Sequence, residues 1–261
     1  MKKILFIIMF LFLIGCKKEE PIIAVSFDTE YPYGIGLPEG FTELQKQEVT
    51  PSKEQWIGAV KRIDDMGVKN NIRFQFNIVG KTARDSKELI KKLALNHDIS
   101  CHTLSHKNQL ELDYEEKLLE IRSCKEEIEG IIGKKIKGNR FPYTKHDKDS
   151  FKALKEAGYG WDSSVWKDKS SLRPYNYQEI VEYPINPITD DWDYFVKKGN
   201  KDAEQFFNLL EQDIRAISPD SVYVIILHPW VLATDEERLE ALEGFIERHK
   251  NIKSIDETYK G

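Results

Sequence analysis

His102 and His106 stand four residues apart, with Thr103, Leu104 and Ser105 between them. Two imidazoles joined by a carboxylate can hold a divalent metal and leave positions open for water and substrate. Asp28 or Glu30, in the run Ser26-Phe27-Asp28-Thr29-Glu30, can supply that carboxylate. Asp28 directly follows an apolar stretch, where an idle charge would be costly to bury. Downstream come Arg140-Phe141-Pro142-Tyr143, Asp162-Ser163-Ser164-Val165-Trp166 and Leu227-His228-Pro229-Trp230. Arg140 can keep a carboxylate charged, and Asp162 and His228 are of the types that transfer protons beside a metal. Taken singly, His228 also reads as a satisfied core residue, and Asp162 with Arg140 as a structural ion pair.

The elements that must position these groups alternate between strand and helix periods. Ile22 to Phe27 is a strand pattern, and the Gly- and Pro-rich stretch Tyr31 to Val49 reads as a loop over the site. Thr50-Pro51 opens a helix carrying Trp56, Ile57, Val60 and Ile63, and Gly67 ends it. Ile72, Phe74, Phe76 and Ile78 alternate as in a strand. Ser86 to Leu95 is helical and Asp98 to Cys101 a short strand. Asp113 with Glu116 opens a helix to Ile132. Ile136 to Arg140 is a strand, Ser150 to Ala157 a helix, and Tyr159 to Trp161 a short strand. Asp202 to Ile217 is helical and Val222 to Leu227 a buried strand. Thr234 with Glu237 opens a last helix to His249, and Ile252 to Ile255 is a closing strand. Such alternation is that of parallel β/α construction. Asp28, His102, Arg140, Asp162 and His228 each fall at or just past the end of an expected strand. In a β/α barrel those ends converge on one face, where active sites are built.

In this order the motifs resemble those of the polysaccharide deacetylase family (the NodB-homology domain, or family-four carbohydrate esterases), over nearly all of Ile22 to Tyr259. The resemblance implies an α/β fold, a distorted (β/α) barrel with fewer than eight regular units. It implies that His102 and His106 bind a divalent metal: zinc, with cobalt, nickel or manganese as alternatives. The family's first motif has two adjacent aspartates, a general base and a metal ligand. Here Asp28 is followed by Thr29 and Glu30, so Asp28 takes the role of base and Glu30 that of ligand. By the same resemblance Arg140 orients the base, the Tyr143 backbone N–H lines the oxyanion site, Asp162 tunes the acid, and His228 is that acid. The implied reaction is hydrolysis of N-acetyl groups on an amino-sugar polysaccharide, with release of acetate. Trp166, Trp230, Tyr31 and Tyr33 can stack on sugar rings, with core packing the competing role for Trp166.

Hydrophobic residues make up 40% of the 261-residue chain, enough for one sizeable core and not two. A net charge of -5 and no long basic run argue against a nucleic-acid partner. Residues 1–16 read as an export signal: Met1-Lys2-Lys3, an apolar run from Ile4 to Ile14, then Gly15-Cys16. Leu13-Ile14-Gly15-Cys16 resembles the lipobox of bacterial lipoproteins, in which the cysteine is acylated. The expected organisation is thus a signal (1–16), a tether (17–21) and a catalytic domain (22–261), exported and lipid-anchored to the cell envelope, membrane-facing through Cys16. Cys101 and Cys124 read as buried free thiols, with a disulfide possible in an oxidising compartment.

Three other functions fit parts of this pattern. One is an O-acetyl esterase on an acetylated glycan, or a hydrolase of a small amide. A second is a non-haem iron oxygenase, which also uses two histidines and a carboxylate but usually on an all-β fold. The third is a non-catalytic glycan-binding lipoprotein. The anchor has its own test: Cys16→Ala is expected to release the protein from membranes or to stall its processing, as read by fractionation and blotting. A processed variant that stays on the membrane would count against acylation at Cys16.

Overall fold

The computed structural model describes residues 20–261. Cys16 and the rest of the expected export signal lie outside the described residues. The strands are β1 (Ile22–Thr29), β2 (Gln75–Ile78), β3 (Asp98–Cys101), β4 (Gly138–Asn139), β5 (Trp161–Asp162), β6 (Tyr175–Tyr177), β7 (Ile180–Glu182), β8 (Ile185–Asp190) and β9 (Val222–Leu227). They form one nine-stranded sheet in the order β6-β7-β5-β4-β3-β2-β1-β9-β8. Neighbours are parallel except in the β6–β7 hairpin. The sheet curls until the segment after β5 meets β8. There Trp166 pairs with Ile185, and Ile185 N–H donates to Val165 O at 3.0 Å. The result is the distorted (β/α) barrel expected from the sequence.

β1 and β9 are near-continuous apolar runs because both faces of a parallel sheet are covered. Their side chains divide by the two-residue period. Ile23, Val25 and Phe27 join Tyr223, Ile225 and Leu227 in the larger core, with the helices. Ala24, Val222, Val224 and Ile226 face a second, smaller core that also contains Trp161 and Ile185.

Strand register then sets the site. Phe27 pairs with Leu227, so Asp28 and His228 follow side by side. Asp28 pairs with Asn77. Cys101 pairs with Asn139, so His102 and Arg140 follow together.

Several boundaries differ from expectation for local reasons. The helix Lys53–Asn70 begins at Ser52, not Thr50-Pro51, because Ser52 and Gln55 form a reciprocal capping box. It runs past Gly67 to a left-handed Asn71, φ 54°. Gly67 lies inside the helix, where a Cβ would run into the His97 ring. The expected loop Tyr31 to Val49 contains the helix Glu43–Val49, capped by Thr42. Ile252 makes a single bridge to Ile23, and Ser254 then caps a short helix, Ile255–Thr258, in place of the expected closing strand.

The free-thiol reading of Cys101 and Cys124 is also corrected: the two form a disulfide, with Cα atoms 6.2 Å apart. Parallel β3 and the covering helix Tyr114–Ile132 bring them together, a proximity that their spacing of 23 residues did not reveal. Among the described residues no helix is long and apolar enough to cross a membrane.

β4 offers a direct test of the inner packing. A Cβ on Gly138 would occupy the indole of its strand partner Trp161. Gly138→Ala is expected to lower stability by about 1–3 kcal/mol, the usual cost of overpacking, measured by urea unfolding. An unchanged midpoint would mean that the Trp161 pocket yields freely.

Candidate active site

β1 and the residue that follows it present Asp28 and Glu30 two residues apart, on the same side of the extended chain. Glu30 is 3% exposed. Its Oε2 lies 3.3 Å from His102 Nε2 and 2.7 Å from His106 Nε2. Its Oε1 accepts from Trp230 Nε1 at 2.8 Å. Burial alone would raise the Glu30 pKa, but the imidazoles of His106, His102 and His228 outweigh it and keep the carboxylate well below its ordinary range. The backbone at Gly34 passes so close that a Cβ there would sit 2.6 Å from the Glu30 side chain.

The donor set fits a metal. One ligand atom each from Glu30, His102 and His106 lies within 4.8 Å of the others. His102 Nδ1 is 2.7 Å from the Arg140 carbonyl oxygen. A carbonyl can only accept, so Nδ1 carries the proton and Nε2 keeps its lone pair for a ligand. His106 Nδ1 is buried without a partner among the described residues. Both Nε2 atoms point at the same carboxylate oxygen, which suits a cation bound among them.

The loop between the histidines is held from outside the barrel. Thr103 and His106 both adopt left-handed backbone, φ 60°, which costs energy for residues other than glycine. Glu120, on the helix Tyr114–Ile132, accepts from Ser105 N–H at 2.8 Å and from Ser105 Oγ at 2.6 Å. The backbone N–H groups of Gly80 and Lys81 donate to Thr103 O and Leu104 O, each at 2.9 Å.

Asp28 stands beside this cluster, 3.9 Å from His102 Nε2. It accepts from Asn77 Nδ2 at 2.6 Å and faces Arg140 Nη1 at 3.5 Å. Arg140 is fully buried, and its Nη2 donates to Ser163 Oγ at 3.0 Å. His228 Nε2 is 3.9 Å from Glu30 Oε1.

The partner of His228 corrects the sequence reading. Its Nδ1 bonds Asp191 Oδ1 at 2.6 Å, and Asp191 Oδ2 accepts the His228 backbone N–H at 2.9 Å. Burial opposes the charged imidazole, but Asp191, with Glu30 and Asp190, raises the His228 pKa well above its ordinary range. Asp162, expected to tune this histidine, instead bonds Asn139 and faces Glu182. It ends β5, whereas Asp191 follows β8, the strand adjacent to β9. The sequence did carry a signal, the acid pair Asp190-Asp191 before Trp192. Pro184 and Pro187 broke the apolar run that would have marked β8.

The two tryptophans exchange roles. Trp230 is fully buried and serves as the Glu30 hydrogen-bond donor, so it offers no stacking face. Trp166 is 37% exposed and lines the cavity. Tyr31 stacks on Trp56, and the Tyr33 hydroxyl bonds Asp85. Trp192, missed in the sequence, lines the cavity and donates to Gly36 O at 2.6 Å. Tyr143 lies at the mouth with φ 56°, its ring edge-on to His106. The cavity, about 530 Å3, brings together Asp28, Glu30, His102, His106, Tyr143 and His228. Asp190 also lines it, its carboxyl pushed up to about 7 by burial, with Asp191 and Asp28 adding to the rise and His228 opposing it.

Residues 54–161 match the sequence model of the family described as Polysaccharide deacetylase. That match spans less than half of the chain and marks a likeness to the family over that segment. No curated protein sequence matches the chain. Among solved structures, the chain is similar to a Mycobacterium smegmatis protein whose polysaccharide deacetylase assignment is inferred. They share 20% identity over 92% of this chain and 90% of that one, with a TM-score of 0.72. It is similar to the PuuE allantoinase at 17% identity over 92% of each chain, TM-score 0.68. It is also similar to a family-four carbohydrate esterase pseudoenzyme from Bacillus anthracis. That likeness is 13% identity over 91% of this chain and 65% of the other, TM-score 0.59. At such identities the likeness is one of fold.

Removing the Glu120 clamp should loosen the histidine loop while leaving every ligand atom in place. Glu120→Ala is expected to weaken zinc binding by about 10–100-fold, the usual cost of losing an outer-shell partner, read by competition with a chromogenic chelator. Unchanged affinity would mean that the loop holds its shape without Glu120.

Proposed function

We propose that this chain removes N-acetyl groups from an amino-sugar polysaccharide of the envelope or extracellular matrix, releasing acetate. One observation carries the reading. Asp28 and His228 flank the Glu30–His102–His106 cluster within one cavity, each with its own partner of opposite charge.

Glu30, His102 and His106 would hold a divalent metal, zinc being the first choice. Such an ion lowers the pKa of water and draws charge from an acetyl carbonyl. Asp28 accepts the proton of the attacking water, with the Arg140 guanidinium facing its carboxylate. The Tyr143 N–H, in its left-handed turn, serves the developing oxyanion. His228 enters the reaction protonated and gives its Nε2 proton to the leaving nitrogen. Asp191 fixes Nδ1 as a donor and stabilises the cation that makes this possible. An amide needs that proton, because an unprotonated amine leaves poorly.

Trp166, Trp192 and Tyr143 offer aromatic surface at the cavity for a sugar ring. The apolar run ending in Cys16 supports an exported, lipid-anchored enzyme acting near a membrane surface.

The test is acetate release from peptidoglycan, chitooligosaccharide, poly-N-acetylglucosamine and acetylxylan, with and without chelator. Release from an N-acetylated polymer, lost with chelator, is expected. His228→Ala should cut amide turnover by about 10²–10⁴-fold and spare an ester with a good leaving group. Equal losses on both, or release from acetylxylan alone, would overturn N-deacetylation with His228 as acid.

A further inference from the structure

Behind the cavity wall, β5 and β7 place Asp162 and Glu182 side by side as register partners. Both are fully buried. Asp162 Oδ2 accepts from Asn139 Nδ2 at 2.8 Å. Glu182 Oε1 accepts two backbone N–H groups, Ser164 at 3.0 Å and Val165 at 2.8 Å. The remaining oxygens, Asp162 Oδ1 and Glu182 Oε2, have no donor among the described residues.

Two ionised carboxylates facing each other in a buried site repel strongly, and each would leave a buried acceptor unsatisfied. A single proton removes both penalties, cancelling one charge and joining the two idle oxygens. Two other titratable groups act on the pair. His146 favours the charged form of Asp162, and Tyr175 pairs with Glu182 across the β6–β7 hairpin. Burial raises both carboxyls, and the Asp162 charge adds to the rise at Glu182.

The pair holds the segment that backs the active site. Ser163 Oγ receives the Arg140 guanidinium, Ser164 Oγ accepts Phe141 N–H at 2.8 Å, and Trp166 lines the cavity. We propose that Asp162 and Glu182 share one proton and act as a positioning pair, fixing residues 163–166 and through them Arg140 beside Asp28. The shared proton stands independently of the proposed reaction; its effect on turnover rests on the roles given above to Asp28 and Arg140.

Glu182→Gln is the decisive variant. Its amide oxygen accepts the same two N–H groups, and its NH2 donates to Asp162 as the carboxylic acid does. Glu182→Leu can do neither. The sign of the pH effect follows from linkage. The unfolded chain releases this proton near a pH of about 4.3, whereas the folded pair retains it. The pair's contribution to stability is therefore greatest below that pH and declines as pH rises toward the folded pKa.

The infrared difference spectrum of wild type minus Glu182→Gln at about pH 7 is expected to show a protonated-carboxyl C=O band, separate from that of Asp190, which both proteins share. Between about pH 5 and 8 the wild-type melting temperature should fall more steeply than that of Glu182→Gln. Glu182→Gln should keep kcat within a few-fold and hold it to more alkaline pH. Glu182→Leu should lose about 10²-fold in kcat, the scale of a small misplacement, at similar KM. Should Glu182→Leu fail to fold, Asp162→Asn takes its place as a test: it also leaves one charge in the pair and should match Glu182→Gln. Absence of that difference band overturns the shared proton, and so does the same pH slope in wild type and Glu182→Gln. Glu182→Gln as impaired as Glu182→Leu, or Asp162→Asn with collapsed turnover, overturns the positioning role. Were the deacetylase reading itself wrong, turnover would be absent in every variant while the band and melting differences remained.

Discussion

The site depends on the burial of one carboxylate. Taking Glu30 out of water costs several kcal/mol unless partners replace its hydration. The Trp230 indole N–H is one such partner, and a cation held jointly with the His102 and His106 Nε2 atoms would be the other. Much of the surrounding structure follows from keeping them in place. Gly34 is bare because the chain passes against the Glu30 side chain. The Arg140 carbonyl fixes the His102 tautomer. Glu120 ties down a loop containing two left-handed residues, Thr103 and His106. The disulfide joins the strand leading into His102 to the helix that carries Glu120. These features converge on a donor set with its lone pairs aimed at one point.

Around that point the barrel separates the two groups proposed above to transfer protons. Asp28 lies beside a guanidinium and His228 is clasped by Asp191. Each thus faces a partner of opposite charge, and Asp191 raises the His228 pKa well above its ordinary range. Parallel register does the placing: the β1–β9 pairing sets Asp28 next to His228, and β3–β4 sets His102 next to Arg140. The barrel itself does not choose the reaction. An allantoinase and a pseudoenzyme share this architecture with the chain, so function must be argued from the residues at the strand ends.

The parity of the first motif shows how a departure from the familiar adjacent pair can still bring two carboxylates to one site. Along an extended chain, residues 28 and 30 share a face. Asp28-Thr29-Glu30 therefore sends both carboxylates into the barrel mouth, while Ile23, Val25 and Phe27 on the other face of β1 join the larger core. The extra methylene of Glu30 accompanies its position one residue further along, beyond the last residue of β1.

Much of this was legible in the residues alone. Long apolar strands such as Ile22 to Phe27 and Val222 to Leu227 announce themselves, because both faces of a parallel strand are covered. The polar residues that end them, Asp28, His102, Arg140 and His228, are conspicuous for the same reason. Helix starts at Asp113, and at Ser52 once its capping box is seen, are local hydrogen-bond chemistry written in adjacent residues. What required the tertiary structure was pairing across distance. The His228 partner sits 37 residues away, on a strand whose prolines hide its period. Trp166 and Trp230 are equivalent as letters, and only packing made one a buried donor and the other a cavity wall. Asp162 met Glu182 instead of His228 because β7 lies beside β5. Local sequence determines which elements form and which residues end them. Which of those ends face each other is decided by strand order and register, set by the packing of the whole barrel.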